Sequence, residues 1–352
     1  MDNSHILIDL NYEFIFYRLF HCEILFSFSY TISLTWGKNY YIINIKICVF
    51  NLITYNLKRY QNNKQIEEAN VLYLSSRKCY NGEYNMVEYE IIQPPELLKQ
   101  YVKYFCVAKV EANQEKVFSL RTIVEDSSGI IFHHKNHIST LKIESVTLPK
   151  AMLFGQTTQP FDAFSNASFH ALGIMFYPHT IKELFGIDAH FITDQMIDLK
   201  HFMTVDLIHR IVNAVSLSNQ IELISHFLMK KITEKKGEDN LIKDAVIHIK
   251  RNKGLMLVRD LHRHYSISER QFERRFLTTI GVSPRHYLLT TRFQAAVELI
   301  KTESFSKLSD IAYDLDYADQ SHFIRQVKKM SGMKPRELKQ KLTKGPVNLI
   351  IH

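Results

Sequence analysis

Two segments of this chain, 51 residues apart, carry side chains that can hydrogen-bond the edges of nucleic-acid bases. Arginine is suited to guanine, glutamine to adenine and glutamate to cytosine. On a helix, residues three and four apart share one face, so each segment would present such side chains together. The predicted base-facing residues are Arg270, Glu273 and Arg274 in the first segment and Gln320, Ser321 and Arg325 in the second. These six residues are the predicted DNA-contacting set.

The two segments are copies of one pattern, because identical residues recur at the same offset. The identical pairs are Phe272 and Phe323, Arg274 and Arg325, Gly281 and Gly332, Pro284 and Pro335, and Arg285 and Arg336. A short amphipathic pattern precedes each copy, around Leu261 and around Ile311. One copy alone would be weak support, since surface helices commonly carry Arg and Gln. Two copies in register strengthen the interpretation.

Each copy has the signals of two helices joined by a tight turn. Ser268 and Asp319 can cap the start of the second helix through their side-chain oxygens. Phe272 and Phe276 lie one turn apart and would bury against the preceding helix, which turns the polar face outward. Gly281 would then end the helix. A second helix that displays base-reading side chains is typical of a helix-turn-helix.

A long linker helix is predicted between the copies, from Pro284 to about residue 302. A helix of about 17 residues spans about 25 Å, enough to hold two recognition helices apart at a fixed spacing near one DNA turn of about 34 Å. The sequence therefore predicts an all-α domain at 238–344 that reads two successive major-groove segments on one face of the duplex.

The net positive charge of the chain comes from this region. Residues 238–344 hold 21 Lys and Arg against 13 Asp and Glu, a net charge of +8, and the whole chain also carries +8. The other residues therefore sum to zero. A basic face in one region is the expected footprint of a polyanion, because Lys and Arg contacts to phosphates release counterions. On charge alone, a solvated charged surface is an equal alternative.

Residues 1–85 differ in composition from the rest, since the first alanine is Ala69 and Phe, Ile, Tyr and Asn are abundant. No window reaches the roughly 18 uncharged apolar residues of a spanning helix, and the layout of a signal peptide is missing. Three interpretations stay open: a small folded extension, a poorly inserted membrane segment, and translated upstream sequence outside the working protein. We favour the third, since an ordinary globular pattern begins at Met86.

Residues 86–200 are predicted to form a mostly β domain that ends in a helix after Pro178. The predicted strands lie at 101–110, 128–133, 141–148, 152–154 and 169–177. Aromatic residues at the strand ends can line a ligand pocket or simply form core. Residues 201–237 are a predicted helical connector, with a helix over 205–236. This connector serves as a dimer seam or packs only against its own domain.

Catalytic and metal chemistry are poorly supported. His133, His134 and His137 can ligate a metal in a β domain, but the sequence places no carboxylate or fourth ligand, and adjacent strand residues face opposite sides. Surface or turn histidines are the better interpretation. The sequence shows no glycine-rich phosphate loop or nucleophile elbow, and its four cysteines form no C-x-x-C pair. We therefore expect no enzyme activity, no cofactor and no metal. A general nucleic-acid binder is a further alternative. Glu273 and Gln320, which lie among the arginines of the predicted base-facing set, argue against it.

Residues 258–338 resemble the DNA-binding domain of the AraC/XylS family of bacterial transcription regulators. The clearest stretch is 311–335, IAYDLDYADQSHFIRQVKKMSGMKP, which is similar to the family's second-motif signature. Residues 268–287 resemble the first motif, and Arg292 fits the linker-helix pattern together with Ala295 and Ala296. The family's base-facing positions fall on the six residues named above. The turn positions usually held by Gly carry Ser266 and Asp316 here.

The resemblance implies a cytoplasmic transcription regulator, an activator, that binds double-stranded promoter DNA. It gives RNA polymerase, a small-molecule effector and a second copy of the chain as candidate partners, and no membrane. The middle of the chain more loosely resembles a sensor-like domain of some family members. The stretches that carry this resemblance are 94–97, 125–132, Gly155-Gln156 and 171–179. The predicted fold class is α+β: an N-terminal mostly β sensor-like domain followed by an all-α domain of two helix-turn-helix motifs joined by a long linker helix.

Overall fold

The structure is a computed structural model, and its backbone contacts divide the chain into two compact units, residues 1–67 and 68–352. It describes residues 8–18, 24–36, 39–49, 73–81, 85–112, 118–133, 141–143, 146–165, 168–235, 237–302, 305, 307–342 and 349–351.

The first unit contains an antiparallel sheet of three strands in the order β1-β2-β3. These strands are β1 (Ile8–Arg18), β2 (Ile24–Trp36) and β3 (Asn39–Val49). Trp36 of β2 pairs with Asn39 of β3. The choice among the three interpretations of residues 1–85 stays a prediction.

The second unit begins with the β region, defined here as residues 73–198. Its strands are β4 (Tyr73–Asn81), β5 (Asn85–Ile92), β6 (Val102–Ala112), β7 (Phe118–Thr122), β8 (Ser128–His133), β9 (Lys142–Ile143), β10 (Val146–Thr147), β11 (Ala151–Phe154), β12 (Phe161–Ser165), β13 (Phe169–Phe176) and β14 (Met196–Asp198). A further strand, β15 (Leu349–Ile351), joins them from outside this region. They form a seven-stranded sheet, β14-β11-β8-β13-β6-β5-β4, and a five-stranded sheet, β10-β9-β12-β7-β15.

One α-helix precedes the last strand of the β region, and the other helices lie between β14 and β15 in the chain. The helices are α1 (Thr180–Phe185), α2 (Val205–Val212), α3 (Leu217–Glu234), α4 (Asn240–Arg251), α5 (Val258–His264), α6 (Glu269–Ile280), α7 (Pro284–Thr302), α8 (Leu308–Asp314), α9 (Gln320–Ser331) and α10 (Pro335–Leu342). Phe105 and Ile174 of the large sheet share a buried core with Ile181 of α1 and Ile224 of α3. Two further cores hold the helices from α4 to α10. The predicted α+β class, mostly β and then helical, is confirmed.

The structure corrects several predicted elements. The single helix predicted over 205–236 is two helices, α2 and α3, because Asn213 ends the first and the Ser216 hydroxyl caps the second. The strand predicted over 141–148 is a hairpin of β9 and β10, closed by a 3.0 Å hydrogen bond from Leu148 N to Leu141 O. Within the β region, strands β4, β5, β7, β12 and β14 went unpredicted. The large sheet also begins at Tyr73, ahead of the predicted boundary at residue 85.

Candidate DNA-binding surface

The first helix-turn-helix consists of α5 and α6 around a core of buried aromatic side chains. Phe272 and Phe276 of α6 are fully buried, and their ring centres lie 5.7 Å apart. Leu261 of α5 belongs to the same core. The ring of Tyr287, from α7, lies 5.5 Å from that of Phe276 and closes the core on the far side. Because the buried residues lie one turn apart, they fix which face α6 turns outward, as the sequence predicted.

The turn of the first motif has a left-handed backbone at Ser266, where φ is 52°. Ser268 follows the turn and caps α6, since its hydroxyl accepts a 3.2 Å hydrogen bond from the amide of Gln271. Gly281 ends α6 in a left-handed conformation with φ of 99°. The predicted cap and stop of the recognition helix are confirmed.

The second helix-turn-helix, α8 and α9, repeats these devices. Phe323 and Val327 are fully buried, and the turn is left-handed at Asp316, with φ of 51°. Asp319 caps α9 through a 2.7 Å hydrogen bond from the amide three residues on. Gly332 ends the helix at φ of 75°. The internal repeat of the sequence is therefore a repeat of structure.

The linker helix α7 is shared by the two motifs. It runs from Pro284 to Thr302, the predicted bounds, and its 19 residues give a length of about 28 Å. Leu288 lies in the core of the first motif and Phe293 in that of the second. The guanidinium of Arg292 donates to Gly254 O over 3.1 Å and to Asp316 O, in the turn of the second motif, over 3.3 Å. Arg292 therefore ties the linker helix to both halves.

The six predicted DNA-contacting residues all lie exposed on the recognition helices α6 and α9. The structure places Arg270, Glu273 and Arg274 on the solvent side of α6, and Gln320, Ser321 and Arg325 in the first half of α9. Within the described residues, no ion pair holds any of these six side chains. Each set of three can therefore meet a ligand, and its contact with DNA stays a prediction.

A neighbouring arginine on α6 has a structural role instead. Arg275 donates through Nε to Asp239 over 2.8 Å and through Nη2 to the other carboxylate oxygen over 2.5 Å. These hydrogen bonds raise the pKa of Arg275. Asp239 also caps α4 through the amide of Ile242. The pair fixes α4 against α6, and sequence spacing gave no sign of it, since its members are 36 residues apart.

A charged cluster that the sequence did not indicate joins the β region to the helices. Asp126, between β7 and β8, receives Lys103 Nζ at 2.7 Å and Lys250 Nζ of α4 at 2.5 Å. Burial of Asp126 opposes its ionisation, but the two ammonium groups outweigh burial and hold its pKa well below the usual range. The carboxylate is thus charged at neutral pH and links the two regions.

The histidine cluster considered from the sequence lies mostly beyond the described part of the chain. His133 is a buried residue of β8, and His134 and His137 fall outside the described residues. Across the described ranges, no three His, Cys, Asp or Glu side chains gather as a metal site. No helix within those ranges is long and apolar enough to cross a membrane.

Two repeated motifs, each with a buried aromatic core and an exposed polar recognition face, define a DNA-binding protein of the double helix-turn-helix class. Residues 261–341 match the family model described as a helix-turn-helix domain, and this domain is of the AraC type. This part of the chain is therefore a DNA-binding domain of the AraC type. Residues 90–198 match a domain of unknown function (DUF6597). No curated protein shows significant sequence similarity to the chain.

Solved structures of regulators are similar to parts of this chain. ToxT from Vibrio cholerae is 13% identical over 67% of this chain and 97% of its own, with a TM-score of 0.40. Unsaturated fatty acid bound ToxT from Vibrio cholerae strain SCE256 is 13% identical over 74% and 96%, with a TM-score of 0.37. The C-terminal domain of AraT, a response regulator from Geobacillus stearothermophilus, is 20% identical over 29% and 85%, with a TM-score of 0.28.

Proposed function

We propose that this chain is a sequence-specific transcription activator that reads two successive major-groove segments of promoter DNA, one with α6 and one with α9. The observation that carries the proposal is the repeated exposed face: Arg270, Glu273 and Arg274 on one helix and Gln320, Ser321 and Arg325 on the other. Arginine, glutamine and glutamate on the exposed face of a recognition helix supply donors and acceptors for base edges. A general binder would need cations only, without Glu273 and Gln320 among them.

The proposed division of labour follows the order of the chain. Residues 238–344 bind DNA, residues 86–200 together with strand β4 sense a small-molecule effector, and 201–237 connect them, with the residues ahead of β4 as an extension. RNA polymerase and a second copy of the chain are the proposed protein partners, and the cytoplasm is the proposed location. The supporting observation is the charged contact of Asp126 with Lys250, which gives the β region a direct hold on a helix of the DNA-binding region.

The test is selection of binding sites from random DNA with the purified full chain. We expect an enriched motif of two short blocks about one helical turn apart, preferred about 10³-fold or more over bulk DNA. A reporter promoter that carries this motif should then be transcribed more strongly when the protein is present. If no sequence is enriched, the chain is a general nucleic-acid binder. If the reporter falls instead, the chain is a repressor.

A further inference from the structure

The β region contacts the C-terminal end of the first recognition helix through two side chains. Gln156 Nε2 donates a 2.9 Å hydrogen bond to the carbonyl of Ile280, the last residue of α6. The hydroxyl of Thr193 donates to the carbonyl of Gly281, the next residue, over 2.7 Å. Gln156 is buried. The last carbonyls of a helix have no partner within the helix, and here the β region supplies the donors.

The β region also contacts the C-terminal end of the second recognition helix. The amide of Val124 donates a 3.0 Å hydrogen bond to the carbonyl of Met330 in the last turn of α9. The guanidinium of Arg121 lies over Gly332, so close that a Cβ at that position would lie 3.1 Å from Nη1. Two hydrogen bonds to Asp162, of 2.7 and 2.6 Å, hold the guanidinium in place. Val124 is fully buried in the core of the second motif.

These contacts are made with the C-terminal ends of the recognition helices in both repeats. Most of them come from one end of a single sheet. Gly281 and Gly332 are the corresponding helix ends, 51 residues apart. Val124 precedes β8, Gln156 follows β11 and Thr193 precedes β14, and these three strands are neighbours. Because the strands are antiparallel, with Phe154 opposite both Gly129 and Met196, the three donors lie at the same end of the sheet. Residues at one end of a single sheet therefore contact the ends of both recognition helices.

We propose that the β region is a positioning part of the DNA reader: it fixes the separation of α6 and α9, and so sets the spacing preferred between the two DNA blocks. Gln156, Thr193, Val124 and Arg121 are its positioning residues. Each base pair adds about 3.4 Å along the duplex and about a tenth of a turn. Helices held at both ends therefore discriminate against a site that is one base pair too long. This inference rests on the proposed function, since it needs two blocks to space.

The test measures how strongly the full chain discriminates against altered spacing. Affinity is compared for the selected site, for the same site with one base pair inserted or removed between the blocks, and for one block alone. Variant Gln156→Ala/Thr193→Ala removes both donors to α6. Thr158→Ala is the matched control, since the hydroxyl's one hydrogen-bond partner among the described residues is Asp194 of the β region. We expect wild type and control to lose about 10-fold or more on altered spacing, roughly the 1.4 kcal/mol of a tenfold change.

For the double variant we expect the loss on altered spacing to shrink at least about threefold relative to wild type, with single-block affinity unchanged. A folded double variant that keeps the full wild-type loss overturns the inference. If that variant does not fold, Arg121→Ala, which removes the side-chain contact with the end of α9, decides by the same criterion. Lys142→Ala in the same sheet is its control. If the selection yields no pair of blocks, the proposed function itself is wrong. If it yields two blocks but the double variant keeps the wild-type spacing preference, only this inference is wrong.

Discussion

The phenol of Tyr287 donates a 2.7 Å hydrogen bond to Asp126, a residue 161 positions earlier in the chain. Tyr287 is fully buried in the core of the first helix-turn-helix, and the Asp126 side chain is 13% exposed. Burial and the adjacent carboxylate together raise the pKa of Tyr287 well above its usual value, so it stays a donor at physiological pH. One carboxylate of the β region therefore anchors α7 through Tyr287 and α4 through Lys250.

Removal of this charge should destabilise the folded chain. Asp126→Asn leaves Lys103 and Lys250 facing a neutral amide, and we expect the free energy of unfolding to fall by about 2–4 kcal/mol. Urea unfolding of the full chain measures the change. The matched control is Asp188→Asn, which removes the partner of Lys182 in a more exposed pair within the β region and should cost about 1 kcal/mol or less. Equal losses in the two variants would contradict a special role for Asp126.

The same carboxylate predicts an acid limit to stability. Its folded pKa lies below the unfolded value of about 3.9, so its contribution is present in full above about pH 5 and is lost as pH falls through the folded pKa. We expect the difference in unfolding free energy between wild type and Asp126→Asn to shrink below about pH 4. Urea titrations from about pH 3 to 7 check this. A difference that does not change with pH would show that the carboxylate charge is not what stabilises the interface.

Local signals predicted the helix-turn-helix motifs well. Ser268 and Asp319 cap their helices, and Gly281 and Gly332 end them, because each device depends on a residue and its near neighbours in the chain. The position of Phe272 correctly predicted the buried face of α6 for the same reason. The internal repeat then predicted the architecture of the helical domain, because two helix-turn-helix motifs joined by one linker helix can be arranged in few ways.

Contacts over long sequence distances escaped prediction. The partners Asp126 and Tyr287 are each unremarkable in their own segment, and only the fold brings them together. The residues that follow strand β7, Ile123 and Val124, are both buried in the core of the second motif. Two consecutive buried residues do not show the two-residue alternation by which a strand is predicted. The Asn81-Gly82 dipeptide is a hairpin signal that could have indicated β4 and β5, although it lies in a segment of atypical composition.

Glu183 of α1 should titrate in the opposite sense. Its side chain is 1% exposed, neither carboxylate oxygen has a hydrogen bond within the described residues, and Lys243 Nζ lies 3.5 Å away. Burial raises its pKa against the opposing effect of Lys243. Because the folded pKa exceeds the unfolded one, the group's contribution is full below the unfolded pKa of about 4.3 and is lost as pH rises through the folded pKa.

Glu183→Gln should therefore stabilise the chain at high pH. We expect the melting temperature at pH 8 to rise by roughly 2–4 °C, the equivalent of about 1 kcal/mol, with little change near pH 4. Differential scanning calorimetry at the two pH values measures it. Glu222→Gln, on the exposed side of α3, is the control and should change neither value. A loss of stability at pH 8 would mean that Lys243 compensates the carboxylate fully.

The left-handed turn at Ser266 offers a stabilising substitution. A side chain at φ of 52° is strained by its Cβ, whereas glycine adopts this conformation freely. Ser266→Gly should raise the free energy of unfolding by about 0.5–1 kcal/mol, and Asp316→Gly in the second motif should act likewise. Ser266→Ala keeps the Cβ and serves as control, with no gain expected. Urea unfolding distinguishes them, and a destabilised glycine variant would show that the Ser266 side chain stabilises the turn.

Arg274 and Arg325 occupy equivalent positions on the two recognition helices, and both are exposed. If each reads a base in its own block, Arg274→Ala should relax preference in one block and Arg325→Ala in the other, each at about 1–3 kcal/mol of binding free energy. Site selection with the variants, followed by titration at fixed salt, measures both effects. Arg210→Ala, an exposed arginine of α2, controls for loss of charge and should leave the selected motif unchanged. Equal weakening on every DNA sequence, with a reduced salt dependence, would instead make these arginines phosphate contacts, and base reading would then depend on their helical neighbours Arg270, Glu273, Gln320 and Ser321.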